Sequence, residues 1–565
     1  MSMIGKYKDK LCKVFWKEGL KLSPSDIEEP RNREHGDLAV PCFLFAKEMR
    51  KKPDLIAEEL AGKLKIGKDF LKLENAGPYI NFFIDLKIAS KDLLRRINTQ
   101  KHKFVKENPK DGSKVMIEFC SPNTNKPLHL GHLRNMMLGE SLSSLMTLKG
   151  DDVVKSCLVN DRGVHICKSM LAYQLWGDAM TPKSSGKKGD HLVGDFYVKF
   201  AENQDDELDT MVKDMLQRWE EGDSKTLDLW KRMNHWVLEG FEETYRKVGV
   251  SFDKYYYESE LYDKGKDMIT EAYRQGKFIE KDGAIVAQLE EFGLPDKVLV
   301  RSDGTTIYMT QDIFLATKKI EDYKLDSSIY VVGSEQELHF KQLFKILEIL
   351  GYEQANRCYH MSYGMVNLPD GKMKSREGTV VDADELIDEL VELARHEVLS
   401  RNPSLSKKEI EERAEKIALA GLKFYLLKQD PIKDMTYHPE ASISFEGETG
   451  PYVQYTVVRI ESILEKSTQG YTSKVDLERF EAAELDLVSH MMRFEDVLDQ
   501  AYGKMRPNLI ANYLIELSQK FNGYYHETKI INTGMEKERL YLIRALSVVL
   551  STGLSLLGID VPDKM

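Results

Sequence analysis

Cysteine is scarce. There are six in 565 residues, at Cys12, Cys42, Cys120, Cys157, Cys167 and Cys358, with no CxxC or CxxxC spacing among them. That excludes a disulfide-stapled scaffold, supplies no cysteine set for structural zinc, and fits the reduced thiols of a cytosolic protein. Long apolar runs are missing as well. The greasiest stretch, residues 546–559, is interrupted by Ser, Thr and Gly and falls short of the ~18 apolar residues a spanning helix needs. The opening MSMIGKYKDK lacks the charged-then-apolar pattern of an export signal. Internal repeats and long low-complexity tracts are absent too. Membrane, secretory and fibrous classes are therefore excluded as expectations.

What is present suits packed cores: 42% hydrophobic and 31% charged residues, too apolar for a disordered chain. At ~100–200 residues per domain, the length predicts three or four domains. The 81 basic and 92 acidic residues leave a net charge of −11. This argues only weakly against a nucleic-acid partner, since binding follows local potential. Lys101, Lys103, Lys106, Lys110 and Lys114 crowd the stretch KHKFVKENPKDGSK, whose bland reading is a solvated linker.

Along the chain, the first hundred residues mix helical periodicity at 55–64 with a strand pair ending in Gly77-Pro78-Tyr79-Ile80-Asn81-Phe82-Phe83, and residues 98–112 read as a linker. Val115-Met116-Ile117 is a short apolar run bounded by turn-formers, the mark of a buried parallel strand. A helix over 132–149 closed by Gly150, a strand over 153–159 and a helix over 163–175 continue the alternation of a doubly wound sheet. Residues 182–297 read as an insertion of charged helices. The sheet then resumes with a hairpin (298–301, Asp303-Gly304, 305–310), a strand over 328–332 and a helix over 335–350. Beyond about 440, helical periodicity runs to the end.

The densest chemical signal is SPNTNKPLHLGH, residues 121–132, between a strand and a helix N-terminus, where free amides and the helix dipole favour anions. His129 and His132, three apart, can face one ligand, and Gly131 lets a base or phosphate approach the backbone. Paired imidazoles suit the oxygens of a phosphate in its transition state; the bland alternative is a helix cap. Downstream, GKMKSREGT supplies Lys372, Lys374 and Arg376 on a Gly-bounded loop able to close over a polyphosphate. Glu118, Tyr308, Asp312 and Gln336 fall at or just past the carboxyl ends of expected strands, the ligand-binding edge of an open α/β sheet. The two carboxylates there suit a guanidinium, whose fixed fork would distinguish it from an ammonium. His165 and the Asn160-Asp161-Arg162-Gly163 turn read as structural.

HLGH followed by KMKSREG resembles the HIGH and KMSKS signatures of class I aminoacyl-tRNA synthetases. EFCSPNTNKPLHLGHLRNMMLGE, YMTQD, GSEQELHFKQ, TGPYVQYTVVRI, HGDLAVPCF and the terminal LGIDVPDKM resemble the arginyl-tRNA synthetase family in order and spacing, from about residue 30 to 565. The resemblance implies an α/β protein: an α+β N-terminal domain recognising the tRNA D-loop (1–105), a Rossmann-type doubly wound catalytic domain (106–440, insertion 182–297) and an all-α anticodon-binding domain (441–565). It implies ATP-dependent activation of L-arginine and transfer to the 2′-OH of the terminal adenosine of tRNA(Arg), with Mg²⁺ on the ATP phosphates and no metal held by the protein. It also implies a cytoplasmic monomer without a membrane partner. His129, Gly131, His132, Lys372 and Met373 would bind ATP, and Glu118, Asn123, Tyr308, Asp312 and Gln336 arginine. Tyr79, Asn81, Tyr452, Tyr455 and Met565 would bind tRNA, with Tyr524 and Tyr525 as further candidates. The second lysine of KMSKS falls on Ser375, between Lys374 and Arg376, and the family suggests Lys126 as its substitute. Which of Lys126, Lys372, Lys374 and Arg376 meets which phosphate stays open.

Overall fold

The computed structural model describes residues 2–30, 32–106, 112–262, 264–368, 371–372, 381–468 and 474–565. Near the N-terminus, strands β1 (Leu38–Pro41), β2 (Phe70–Ala76) and β3 (Tyr79–Ile84) form an antiparallel sheet in the order β1-β3-β2. The expected strand pair is β2 and β3, joined by a turn at Gly77-Pro78. The stretch read as a linker is instead helical over 98–105: helix Leu86–Gln100 runs into a short 3₁₀ turn, Lys101–Val105. Its lysines face out while Phe104 and Val105 are buried. This segment docks on the C-terminal helices. Asn98 Nδ2 donates to the Tyr541 carbonyl at 3.0 Å, His102 Nδ1 lies 2.8 Å from Thr552 Oγ1, and the Phe104 and Phe494 rings stack at 6.1 Å. Arg96 pairs with Glu495, and Ser2 donates to Asp496 at 2.7 Å.

The central sheet contains β4 (Lys114–Glu118), β5 (Asp152–Val159), β6 (Lys254–Tyr257), β10 (Ser327–Gly333) and β11 (Tyr359–Tyr363), all parallel, in the order β11-β10-β4-β5-β6. The chain winds outward from β4 through β5 to β6, then returns beside β4 to lay down β10 and β11. The strand order therefore reverses between β4 and β10, which opens a crevice at their carboxyl ends. β4 is buried on both faces because alternate residues feed two cores. Val115 and Ile117 pack with the helix Leu130–Lys149, while Met116 packs with Tyr256 and Leu315. Gly150, at φ +101°, ends that helix as expected of a C-cap.

Two expectations change. β6 lies inside the interval read as an insertion, so the helices Gly189–Asn203, Asp206–Glu220 and Ser224–Val248 form an excursion between β5 and β6. A second small antiparallel sheet, β7 (Ile279–Lys281), β8 (Ala284–Ala287) and β9 (Lys297–Val300), follows β6. The expected 298–310 hairpin reduces to β9 and one bridge, Val300 to Thr306, after which the chain enters helix Tyr308–Tyr323. Among the described residues, the elements between Gly450 and Leu556 are all helices, and the last of them, Glu536–Leu556, is long and apolar enough to cross a membrane but is mostly buried inside the protein.

Candidate active site

The chain leaves β4 through an unusual backbone, with Cys120 at φ 75° and Ser121 at φ 47°. Left-handed non-glycine residues cost about 1–3 kcal/mol each and persist where neighbours over-determine them. Here Asn135 Oδ1 accepts the Cys120 N–H. The Asn160 N–H donates to Pro122 O (3.0 Å), Thr124 N–H to Asn160 O (3.1 Å) and Asn160 Nδ2 to Ser121 O (3.2 Å). The Asn160–Gly163 turn is thus a brace, and Asp161 adds hydrogen bonds from the Ser259 N–H and hydroxyl. His165 lies 3.0 Å from the Tyr197 hydroxyl, outside this junction. Asn123 is exposed beside the crevice, its backbone bridged to Asn160.

His129 is the N-cap of helix Leu130–Lys149. Its Nδ1 accepts the Gly131 N–H at 3.1 Å, and His132 Nδ1 accepts the His129 N–H at 3.1 Å. The rings sit 3.8 Å apart. Capping and ligand binding are therefore not alternatives. With each Nδ1 accepting, a neutral ring carries its proton on Nε2 and presents that N–H outward. Both rings are held neutral: burial, then the Lys126 charge, brings His129 down to about 4, and burial with the His129 and Lys126 charges pushes His132 well below its usual value. Burial also lowers Lys126 itself. The site so assembled is a helix N-terminus, two neutral N–H donors and an ammonium, a cradle for phosphate oxygens. For the opposing cationic stretch, the backbone of Lys372 is in place: β12 (Val366–Leu368) pairs antiparallel with β13 (Gly371–Lys372), Asn367 opposite Lys372. Met373, Lys374, Ser375 and Arg376 lie outside the described residues.

The expected guanidinium pocket divides. Tyr308 and Asp312 are not at a strand end; they stand on the first turns of helix Tyr308–Tyr323, with Tyr308 74% exposed. Asp312 is half-buried, 2.7 Å from His339 Nε2. Gln336 is exposed just past β10. Glu118 is a correction: it shares the Met116 face of β4, and its carboxylate is taken by Lys319 of the covering helix, their side chains 8% and 1% exposed. The Lys319 ammonium also lies over the Tyr256 and Tyr330 rings, at 5.3 and 5.2 Å. Sequence reasoning missed Glu258, just past β6. Burial, opposed by the Arg162 charge and aided by those of Asp161 and Asp312, raises its carboxyl to about 7. Its only sequence signal was the YYYES stretch, misplaced in the insertion.

Among the residues expected to meet RNA, Tyr452 and Tyr455 are half-buried on helix Gly450–Lys466. The Tyr452 hydroxyl accepts from Asn522 Nδ2 at 3.0 Å. The Arg459 guanidinium lies 4.6 Å from the Tyr455 ring and 5.4 Å from that of Tyr525, which is 40% exposed, making a layered aromatic–cation surface. Tyr524 is buried, its hydroxyl donating to Glu484, and Met565 is half-buried against the helical core. Tyr79 is half-buried, edge-on to the exposed Phe43 at 5.9 Å. Asn81, by contrast, is 5% exposed beneath the backbone at Gly36, so its side chain is not presented outward.

Three family descriptions match the chain in order: "Arginyl tRNA synthetase N terminal domain" over residues 5–84, "tRNA synthetases class I (R), catalytic domain" over 94–438 and "DALR anticodon binding domain" over 453–565. The chain is 42% identical to the arginine–tRNA ligase of Treponema denticola over 558 residues, covering 96% of this chain and 95% of that one. It is 40% identical to that of Bacteroides fragilis over 589 residues, covering 98% of each. Among solved structures it superposes on Thermus thermophilus arginyl-tRNA synthetase with a TM-score of 0.85 at 26% identity, covering 99% of each chain. The Plasmodium falciparum arginyl-tRNA synthetase shares the fold, with a TM-score of 0.81 at 20% identity over 99% of each chain. The chain belongs to the arginyl-tRNA synthetase family of class I aminoacyl-tRNA synthetases.

Proposed function

We propose that the chain is an arginine–tRNA ligase that works in two steps. A carboxylate oxygen of L-arginine attacks the α-phosphorus of ATP, the bond to the bridging oxygen breaks, and pyrophosphate leaves with arginyl-adenylate formed. The 2′-hydroxyl of the terminal adenosine of tRNA(Arg) then attacks the arginyl carbonyl and AMP leaves. The observation that carries this reading is the pair of neutral imidazoles capping a helix at the crevice between β4 and β10, within a chain matched end to end by ligases of this name.

Catalysis is positioning and electrostatics, with no covalent enzyme intermediate. The Nε2–H groups of His129 and His132 and the Lys126 ammonium hold the phosphates, and Gly131, lacking a side chain, lets ATP approach the backbone beside them. Lys372, Lys374 and Arg376 offset charge on departing pyrophosphate, and Met373 contacts ATP. Asp312 accepts the guanidinium, Tyr308 and Gln336 flank it, and Asn123 holds the α-amino and carboxylate groups. Glu118 sets the pocket wall through Lys319. Two imidazoles and an ammonium are a poor donor set for Mg²⁺, which prefers oxygen. The ion therefore belongs on the ATP oxygens, where it would neutralise phosphate charge. Tyr79 on the N-terminal sheet and Tyr452, Tyr455 and Met565 in the C-terminal helical part take the tRNA. The chain acts in the cytoplasm as a monomer. The test is ATP–pyrophosphate exchange, expected to require both arginine and tRNA(Arg). Equal exchange with another amino acid would reject the specificity.

A further inference from the structure

Arg134, two residues past His132 on the same helix, is fully enclosed and makes no ion pair among the described residues. Burial lowers it to about 10, so it stays charged at neutral pH. Its hydrogen-bond partners among the described residues are four backbone carbonyls, and its guanidinium lies 6.0 Å from the Tyr363 ring. One terminal nitrogen, Nη1, donates to Gly364 O at 2.6 Å and Met365 O at 3.3 Å; the other, Nη2, donates to Pro431 O at 3.2 Å and Lys433 O at 2.9 Å. An enclosed cation without a carboxylate is a costly way to fill space, and an apolar side chain would do that better. What the guanidinium adds is direction: a planar fork fixed at both ends.

The four carbonyls belong to the two leads into one small sheet. Residues 364–365 enter β12, and residues 431–433 enter β14 (Met435–Thr436), which runs parallel to β12 on the side opposite β13. The leads touch backbone to backbone. The Gly364 N–H donates to Pro431 O at 2.9 Å, the Met435 N–H to Met365 O at 2.9 Å, and a Cβ at Gly364 would sit 2.5 Å from the Lys433 carbonyl carbon. Asp434 Oδ1 closes the junction from outside by accepting the Met365 N–H at 2.7 Å. β12 in turn carries β13 and the backbone of Lys372. The helix whose first turn is His129 to His132 thus holds, one residue pair later, the stem on which Lys372 is mounted.

We infer that Arg134 is a positioning residue, the spacer that sets the Lys372-bearing strands at their distance and angle from the His129–His132 pair. The inference deepens the ligase reading, on which it rests for the step affected: adenylate formation needs both halves of the phosphate cradle at once. Arginine and tRNA, held by other elements, are unaffected.

The test uses the full chain with Arg134→Lys, which keeps the charge but loses the fork, and Asp434→Ala, which removes the outer hydrogen bond and a nearby acidic charge at an exposed position while leaving the four carbonyl contacts of Arg134 in place. Pyrophosphate exchange is measured per folded molecule, with KM for ATP, arginine and tRNA. Arg134→Lys is expected to lower the exchange kcat on the order of 10–100-fold and to raise the ATP KM, the scale of a displacement of about 1 Å between reacting groups. Asp434→Ala should show the same pattern more weakly, and in both variants arginine and tRNA KM should stay within about twofold. A wild-type kcat per folded molecule in Arg134→Lys overturns the inference. So does a loss spread evenly over all three KM values, the mark of a general structural role. If Arg134→Lys does not fold, an unchanged Asp434→Ala overturns it. Should the wild type exchange with a different amino acid, the specificity reading falls, while the same kcat comparison with that amino acid still decides the role of Arg134.

Discussion

Replacing Lys319 by methionine separates the two carboxylates that the residue pattern groups together. Lys319 and Glu118 are both enclosed, so the substitution strands a buried carboxylate. Breaking such a pair costs about 3–5 kcal/mol. At about 2 °C per kcal/mol, the low end for large domains, the transition of the catalytic domain should fall by roughly 6–10 °C. Glu118→Gln alone, which strands the ammonium, should fall comparably. The double variant strands neither charge and should be no less stable than either single variant, so the two losses fall short of additive by at least about 3 kcal/mol. Scanning calorimetry on the four proteins measures the cycle. Strictly additive losses would refute the pairing. So would a Glu118→Gln variant that melts normally but needs far more arginine, since Glu118 would then face the substrate.

The other expectations concern the site and its surroundings. Asp312→Ala should raise the arginine KM by about 10- to 150-fold, the worth of a charged hydrogen bond of about 1.5–3 kcal/mol, with ATP KM little changed; steady-state kinetics decides. Because His129 lies at about 4 in the folded chain against 6.5 unfolded, its contribution to stability is complete above pH 6.5 and is lost as pH falls towards 4, roughly 3 kcal/mol in all. Melting temperatures from pH 7 to 4.5 should therefore drop more steeply for the wild type than for His129→Asn. Tyr455→Ala should weaken tRNA binding by about 1–3 kcal/mol with the melting temperature retained, as a lost stacking platform would. A drop in melting temperature instead would place Tyr455 in the core.

The parts of the fold legible in the sequence are those with a one-sided physical cause. β4, β5 and β10 show as apolar runs because both faces are covered, and the histidine pair shows because it follows a strand and opens a helix. β6 is an edge strand, KYYY, with only Tyr256 buried, so no apolar run marks it. Helix Tyr308–Tyr323 begins without a capping side chain, and the Asp303-Gly304 turn before it imitates a hairpin. Arg134 and Lys319 are indistinguishable in sequence from solvated helix charges. Their partners stand more than two hundred residues away, and only the assembled structure reveals that both are enclosed.

The seating of residues 86–105 on the C-terminal helices has a further consequence. The modules carrying Tyr79 and Tyr455 share an interface through Arg96 with Glu495, Asn98 with Tyr541 and Phe104 with Phe494, so they do not swing as beads on a string. A folded RNA gripped by both modules must match a spacing fixed in advance. Outline alone then sorts candidates before any base is consulted, and grafting a foreign N-terminal module would succeed only where its docking face matches this one.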